Sequence, residues 1–177
     1  MVAGTSGSGK TALARRVARV LDVPHTEIDA LYHGQGWIPR TTFETDVRRF
    51  SAEPHWVTEW QYDAVRGLLV ERADLMVWLD FPRATVMRQV VLRTLRRRLR
   101  REALWNDNIE PPLRTIFTDE EHIVRWAWST HHKTAPRMAA QQALRPELVI
   151  VRLRSRAAVE RWLQGPLRLV AVGKPQP

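Results

Sequence analysis

Eight residues near the amino end constrain this chain more than any others. Gly4-Thr5-Ser6-Gly7-Ser8-Gly9-Lys10-Thr11 fits G-x-x-x-x-G-K-[ST] at every fixed position. Glycines at these places let the backbone wrap tightly, with N–H groups turned inward as a nest for phosphate oxygens. A helix beginning at the loop adds the positive end of its dipole. In this arrangement Lys10 reaches the β- and γ-phosphates of a nucleotide and the Thr11 hydroxyl binds Mg2+. The competing reading is a chance Gly/Ser linker, and the deciding context is a strand before and a helix after. The helix is legible over about Thr11–Leu21, from Leu13, Val17, Val20 and Leu21 at helical spacing. Only Met1-Val2-Ala3 precede the loop, where about five strand residues are usual. Either that strand is clipped or the start lies upstream. A dinucleotide loop is a poor rival, because Gly4, Gly7 and Gly9 do not fit G-x-G-x-x-G.

Further elements follow from pattern and breakers. Strands are expected at His25–Asp29, Trp56–Glu59, Leu75–Asp80 and Leu148–Leu153. Helices are expected at Phe43–Ser51, Asp63–Arg72, about Ala84–Ala103, about Asp119–Leu144 with a bend at Pro136, and Ser155 to about Leu163. Gly34–Arg40 and Trp105–Pro112 read as loops, and the residues after Gly165 as a tail. Strands alternating with helices imply a parallel sheet covered on both faces. The expected architecture is one α/β three-layer domain over 1–177. It would have about five strands, a helical lid near 93–118 and a C-terminal tail near 165–177.

Composition narrows the partners. The 177 residues are 44% hydrophobic and 27% charged, which fits a globular domain. The longest apolar run, Leu75–Leu79, is far short of the roughly 20 residues that cross a bilayer. Neither a secretory leader nor a cysteine is present, so a cytoplasmic location is the expectation. The net charge is +9, and Lys10, Lys133 and Lys174 are the only lysines among the 28 cations. Arginine forks suit bidentate phosphate recognition, so anionic partners are expected: nucleotides, other phosphates or nucleic acid.

The arginines have a pattern. On the helix after Pro82, Arg93, Arg96, Arg97, Arg100 and Arg101 share one face, while Leu92, Leu95 and Leu99 share the other. Arg88 falls on the apolar side, where a buried cation needs an anionic partner. The stripe is either a solvated face or a set of cations for a transferring phosphoryl group. Asp119-Glu120-Glu121-His122 and His131-His132 lack metal-site spacing and read as solvated.

Beyond the loop, the chain resembles the adenylate-kinase-like P-loop kinases. It is most similar to small bacterial proteins labelled topology modulation proteins or AAA family ATPases. The matching pieces are Ile28-Asp29-Ala30-Leu31-Tyr32-His33 with Gly36-Trp37, Trp56 to Tyr62, Ala73 to Arg83, Arg93 to Arg97, Leu104 to Glu110, and Arg125 to Trp128. Two pieces depart. Where the family reads Asp-Gly-Asn-Tyr this chain has Glu59-Trp60-Gln61-Tyr62. Where it reads Trp-Asn-Gly-Asn-Arg-Glu this chain has Trp105-Asn106-Asp107-Asn108-Ile109-Glu110. Trp60 in place of Gly would crowd the acceptor side, and Ile109 removes a lid cation.

The resemblance implies a kinase that moves the γ-phosphoryl group of ATP–Mg2+ to a small-molecule acceptor. It implies that Glu59, with Thr11, serves the metal or takes a proton from the acceptor. Asp29 would recognise the acceptor or cap the segment after it, with Trp37, Tyr62 and Arg66 on the same side. Arg88, Arg93 and Arg97 would neutralise the transferred group, and Asp80 would stand behind the metal or start a turn. Trp105 to Glu110 would be a lid loop, with Asn106, Asn108 and Glu110 on the base or the acceptor, or a plain connector. The other functional class is a nucleic-acid-binding protein whose nucleotide site is regulatory, although no helix-turn-helix, zinc-finger or RRM signature is present.

Overall fold

Five consecutive apolar residues, Leu75–Leu79, form the central strand, as expected of a parallel strand covered on both faces. The computed structural model describes residues 1–100, 104–108 and 122–172. Its strands are β1 (Val2–Gly4), β2 (Leu75–Leu79) and β3 (Val149–Leu153), parallel in the order β1-β2-β3. Val77 lies opposite Val2 on one side and Val151 on the other. The helices are α1 (Lys10–Leu21), α2 (Ile28–Tyr32), α3 (Phe43–Phe50), α4 (Asp63–Arg72), α5 (Arg83–Arg100), α6 (Ile123–Thr130), α7 (Thr134–Leu144), α8 (Arg156–Gln164) and α9 (Pro166–Val172).

Alternation along the strands builds two cores. Val2, Val77, Leu79 and Leu153 pack with Leu13 and Val17 of α1, Val86 and Val90 of α5, and Val159, Trp162 and Leu163 of α8. Ala3, Met76 and Trp78 point the other way, into Ile28, Phe43, Val47, Val65, Leu69 and Met138. The three-layer arrangement therefore stands, but with three strands where about five were expected.

The two missing strands are reduced to isolated bridges, Val2 with Glu59 and His25 with Val57. The main chain still runs in place, with Val2 N donating to Thr58 O at 2.9 Å and Thr26 N to Val57 O at 2.9 Å. Two chemical reasons shorten the pairing. Pro24 has no N–H to give. Ile28 N–H is taken by the Glu59 carboxylate at 3.0 Å, and the chain turns there into α2. Asp29 consequently sits in a helix, not at a strand end.

Three other expectations change. Leu92, Leu95 and Leu99 are 57%, 37% and 83% exposed, and α5 is buried instead through Val86, Val90 and Thr94. Arg88 is accordingly exposed. Among the described residues, the long helix expected up to Leu144 breaks at His131–Lys133, not at Pro136. Pro136 lies in the first turn of α7, where a missing N–H costs nothing. The start of that helix at 119–121 and the lid stretch from 109 to 118 lie outside the described residues. Finally, Pro166–Val172 is helical and not a loose tail: Leu167 is buried in the core shared with α1.

Asp80 closes the top of β2. Arg152 of β3 donates to its Oδ2 through Nε at 2.8 Å and Nη2 at 2.6 Å, and the same guanidinium lies over the Trp78 ring at 4.4 Å. Asp80 is thus an ion-pair partner across the strand ends.

The closing helix gives a direct test. Leu167→Ala should lower stability by about 2–4 kcal/mol, whereas Leu169→Ala, at an exposed position, should stay within about 0.5 kcal/mol. Urea unfolding midpoints read the difference, and equal midpoints would show that α9 is not part of the core.

Candidate active site

The phosphate-loop glycines take the backbone that side chains avoid. Gly7 has φ 80° and Gly9 φ 97°. A Cβ at Gly7 would collide with Val90 Cγ2, so α5 packs directly on the loop. Ser8 N–H donates to Thr5 O at 3.0 Å and closes the loop upon itself. α1 then starts at Lys10 with no side-chain cap and no acidic residue in its first turn. An anion is the ligand that suits such a helix start. Lys10 is buried and its Nζ reaches back to Thr5 O at 3.4 Å. Burial pulls the Lys10 pKa below the ordinary lysine range, while Asp29 and Glu59 oppose that pull and Arg93 and Arg66 add to it.

A cavity of about 1470 Å³ opens beside the loop. Ser6, Gly7, Gly9, Lys10 and Thr11 line it, together with Asp29, Trp37, Arg88, Arg93 and Arg97. The structure thus brings the loop, the α5 arginines and two of the acceptor-side candidates to one place. Gly4, Thr5, Ser8, Glu59, Tyr62 and Arg66 do not line it. Gly4 (φ 152°) and Thr5 form the back of the loop, where Thr5 Oγ1 lies 3.3 Å from Thr134 Oγ1. The buried Ser8 hydroxyl has no protein partner among the described residues.

Glu59 is 1% exposed and stands behind the cavity wall. Its Oε1 meets His25 Nε2 at 3.0 Å and its Oε2 accepts from Ile28 N–H at 3.0 Å. Burial alone would raise its pKa, but these hydrogen bonds hold the carboxyl below the ordinary glutamate range. Through Ile28 it fixes the start of α2 and hence the next residue, Asp29. Asp29 Oδ1 accepts from Tyr62 OH at 2.6 Å and Gln61 Nε2 at 2.7 Å. Burial raises the Asp29 pKa, against the opposing pull of Tyr62 and Lys10. Arg66 is turned away: it ion-pairs with Asp63, lies over the Trp60 ring at 5.2 Å, and has its pKa pushed down to about 10 by burial and by Arg137. Trp60 itself is buried in the core below α4 and leaves the cavity uncrowded.

The segment 104–108 makes a second wall. Asn108 is 6% exposed; its Nδ2 donates to Gly34 O and Trp105 O, each at 2.8 Å, and its Oδ1 accepts from Trp37 N–H at 3.1 Å. Asn106 Nδ2 donates to His33 O at 2.5 Å. Both asparagines therefore bind protein backbone. Glu110, expected beside them, lies outside the described residues.

The crystal structure of shikimate kinase from Bacteroides thetaiotaomicron superposes on this chain with a TM-score of 0.53 and 18% identity. The match covers 96% of this chain and 95% of that one. The two share a fold. At that identity the likeness concerns architecture alone. No protein-family model matches the sequence, and no curated protein matches it. Among the described residues no helix is long and apolar enough to cross a membrane, and no cluster of three His, Cys, Asp or Glu side chains stands ready for a metal ion.

Sequence reasoning missed several cavity residues, including Arg15, Gln89, His122 and Arg156. Arg156 was within reach. It opens α8 directly after β3, and the carboxyl ends of parallel strands are where ligands of open α/β sheets bind. Gln89 carries no pattern of its own, and His122, expected on a solvated face, is instead buried and caps α6, its Nδ1 accepting from Val124 N–H.

The Glu59 environment makes a signed prediction. A carboxyl with a depressed folded pKa stabilises the fold fully above its unfolded value. That contribution is lost as pH falls through the folded value. Glu59→Gln should be less stable than the wild type by about 1–3 kcal/mol at neutral pH, with the gap closing as pH falls below the ordinary glutamate value of 4.5. A gap that stays constant from neutral to acid pH in urea titrations would contradict this role.

Proposed function

We propose that this protein is a phosphotransferase that moves the γ-phosphoryl group of ATP–Mg2+ to a hydroxyl on a small molecule. One observation carries the reading: Lys10 of the phosphate loop and Arg88, Arg93, Arg96 and Arg97 of α5 line a single cavity that also contains the Asp29 carboxylate. Cations gathered around a phosphate loop suit the charge that spreads over a transferring phosphoryl group. A carboxylate within the same cavity suits the hydroxyl that attacks it. The loop fits a triphosphate on its own geometry: left-handed glycines, a packed approach that excludes any side chain at Gly7, and an uncapped helix start.

In this reading the new P–O bond forms to the acceptor oxygen while the bond to the leaving diphosphate oxygen breaks. Asp29, made a stronger base by burial, orients the acceptor hydroxyl and takes its proton. Lys10 and the α5 arginines balance the phosphate charge. Glu59 does not touch the ligands; it positions Asp29 through Ile28. Magnesium would be held by the Thr11 hydroxyl and the nucleotide phosphates and would neutralise part of their charge. The 104–108 segment, docked on Gly34 and Trp37, helps shield the cavity from water, which otherwise diverts transfer into hydrolysis. A nucleic-acid partner is the weaker reading, because the arginines that suggested it line the cavity together with Lys10.

Lys10→Ala should lower phosphoryl transfer by about 10²–10³-fold, as should removal of a key charge-stabilising group at Arg97→Ala. Both variants should keep the wild-type circular dichroism. Calorimetry with Mg–ATP and a coupled ADP-release assay test this, and unchanged turnover in Lys10→Ala would defeat the reading.

A further inference from the structure

The cavity is chemically divided. Its cations come from one side: Lys10 and Arg15 on α1, Arg88, Arg93, Arg96 and Arg97 on α5, and Arg156 on α8. Arg15 is already paired with Glu27 at 2.5 Å. The other side is built by residues 28–39 and 104–108, and neither stretch contains a lysine or arginine. It presents Asp29, Tyr32, His33, Trp37 and Trp105. Burial lowers the His33 pKa in spite of the nearby Asp29, so the imidazole is neutral at neutral pH. Arg40 and Arg66 are held elsewhere by Asp46 and Asp63 and do not line the cavity.

This aromatic side is held in shape by its own contacts. Asn108 ties Trp105 to Gly34 and Trp37 through three hydrogen bonds. Trp105 stacks on His33 with ring centres 5.6 Å apart and planes at 21°, and Trp37 stands edge-on to both. Asp29 Oδ1 accepts from two donors, whereas Oδ2 has no protein partner among the described residues. The cation whose charge acts on Asp29 is Lys10, which belongs to the phosphate loop. Among the described residues the aromatic side adds no cation of its own, so a carboxylate or phosphate placed there would face Asp29 and be disfavoured by like-charge repulsion. A flat, uncharged ring meets indole and imidazole surfaces, and bases stack on such side chains without regard to their identity. At about 1470 Å³ the cavity is larger than the usual single-ligand pocket, with room for a nucleotide and a second molecule of nucleoside size.

We propose that the phosphoryl acceptor is an uncharged nucleoside, with its base against Trp37 and Trp105 and a ribose hydroxyl on Asp29. The inference rests on the phosphotransferase reading above. It departs from what the carboxylate-bearing substrate in the structural neighbour's name would suggest.

The test uses the full chain with Mg–ATP. The candidates are adenosine, guanosine, cytidine and uridine, their 5′-monophosphates, shikimate, and ribose as a ring-free sugar control. At least one nucleoside should raise ADP release about tenfold or more over the rate without acceptor, with a new phosphoester visible by phosphorus NMR. The monophosphates, shikimate and ribose should not. Trp105→Ala and Asn108→Ala should raise the KM for that nucleoside about tenfold, with the Mg–ATP dissociation constant kept within about twofold. Trp105→Phe, which keeps a flat ring, should restore most of the loss. Stimulation by a monophosphate, shikimate or ribose in place of the nucleosides would overturn the proposal, as would full nucleoside activity in Trp105→Ala. Calorimetric heat with Mg–ATP but no response to any nucleoside would overturn the acceptor alone. No heat at all would remove the phosphotransferase reading and the acceptor with it.

Discussion

A methyl group of Val90 occupies the space that any side chain at position 7 would need. This single contact presses α5 onto the phosphate loop and sets the rotation of the whole helix. With Val86, Val90 and Thr94 turned inward, Arg93 and Arg97 are half-buried at the cavity and Arg88 and Arg96 stand at its open side. Glycine is required at position 7 twice over, for its left-handed backbone and for its missing Cβ. The arginines therefore reach the site because of a packing contact made by Val90, about one turn away on their own helix.

A second constraint acts from the opposite side. The Glu59 carboxylate is fully hydrogen-bonded at the point where two expected strands give out. In exchange for a ladder it ends the pairing, starts α2 and delivers Asp29 to the cavity. A buried carboxylate with both oxygens satisfied is a rigid support, and breaking it would leave Ile28 N–H without a partner. Sheet and site are linked here through one side chain.

These two cases show what was legible in the sequence. The glycine spacing and the run Leu75–Leu79 announce themselves locally, so the loop and the central strand were readable. The Leu92, Leu95 and Leu99 face misled because helical spacing shows which residues share a side but not which side packs, and Val90 decided that through Gly7. The strands at 25–29 and 56–59 misled because β-type residues were present, while the partner for Ile28 N–H was a side chain 31 positions away. Tail residues after Gly165 looked unstructured by composition, yet Leu167 finds a pocket made by helices far apart in sequence. For Asn106 and Asn108 the sequence leaves ligand contact and a plain connector open, and the structure has them bonded to backbone carbonyls and an N–H. Each difference arose where a long-range partner overrode a local preference.

One feature of β3 bears on how the molecule behaves in company. Among the described strands β3 is a sheet border, and borders of unpaired backbone invite other chains to add themselves. Arg152 and Arg154 are exposed there, with Arg152 braced across Trp78 and fastened to Asp80. Fixed positive charge on that margin makes the approach of an identical margin repulsive. Arg152 and Arg154 share the single carboxylate of Asp80, so the pairing leaves this margin with one positive charge in excess.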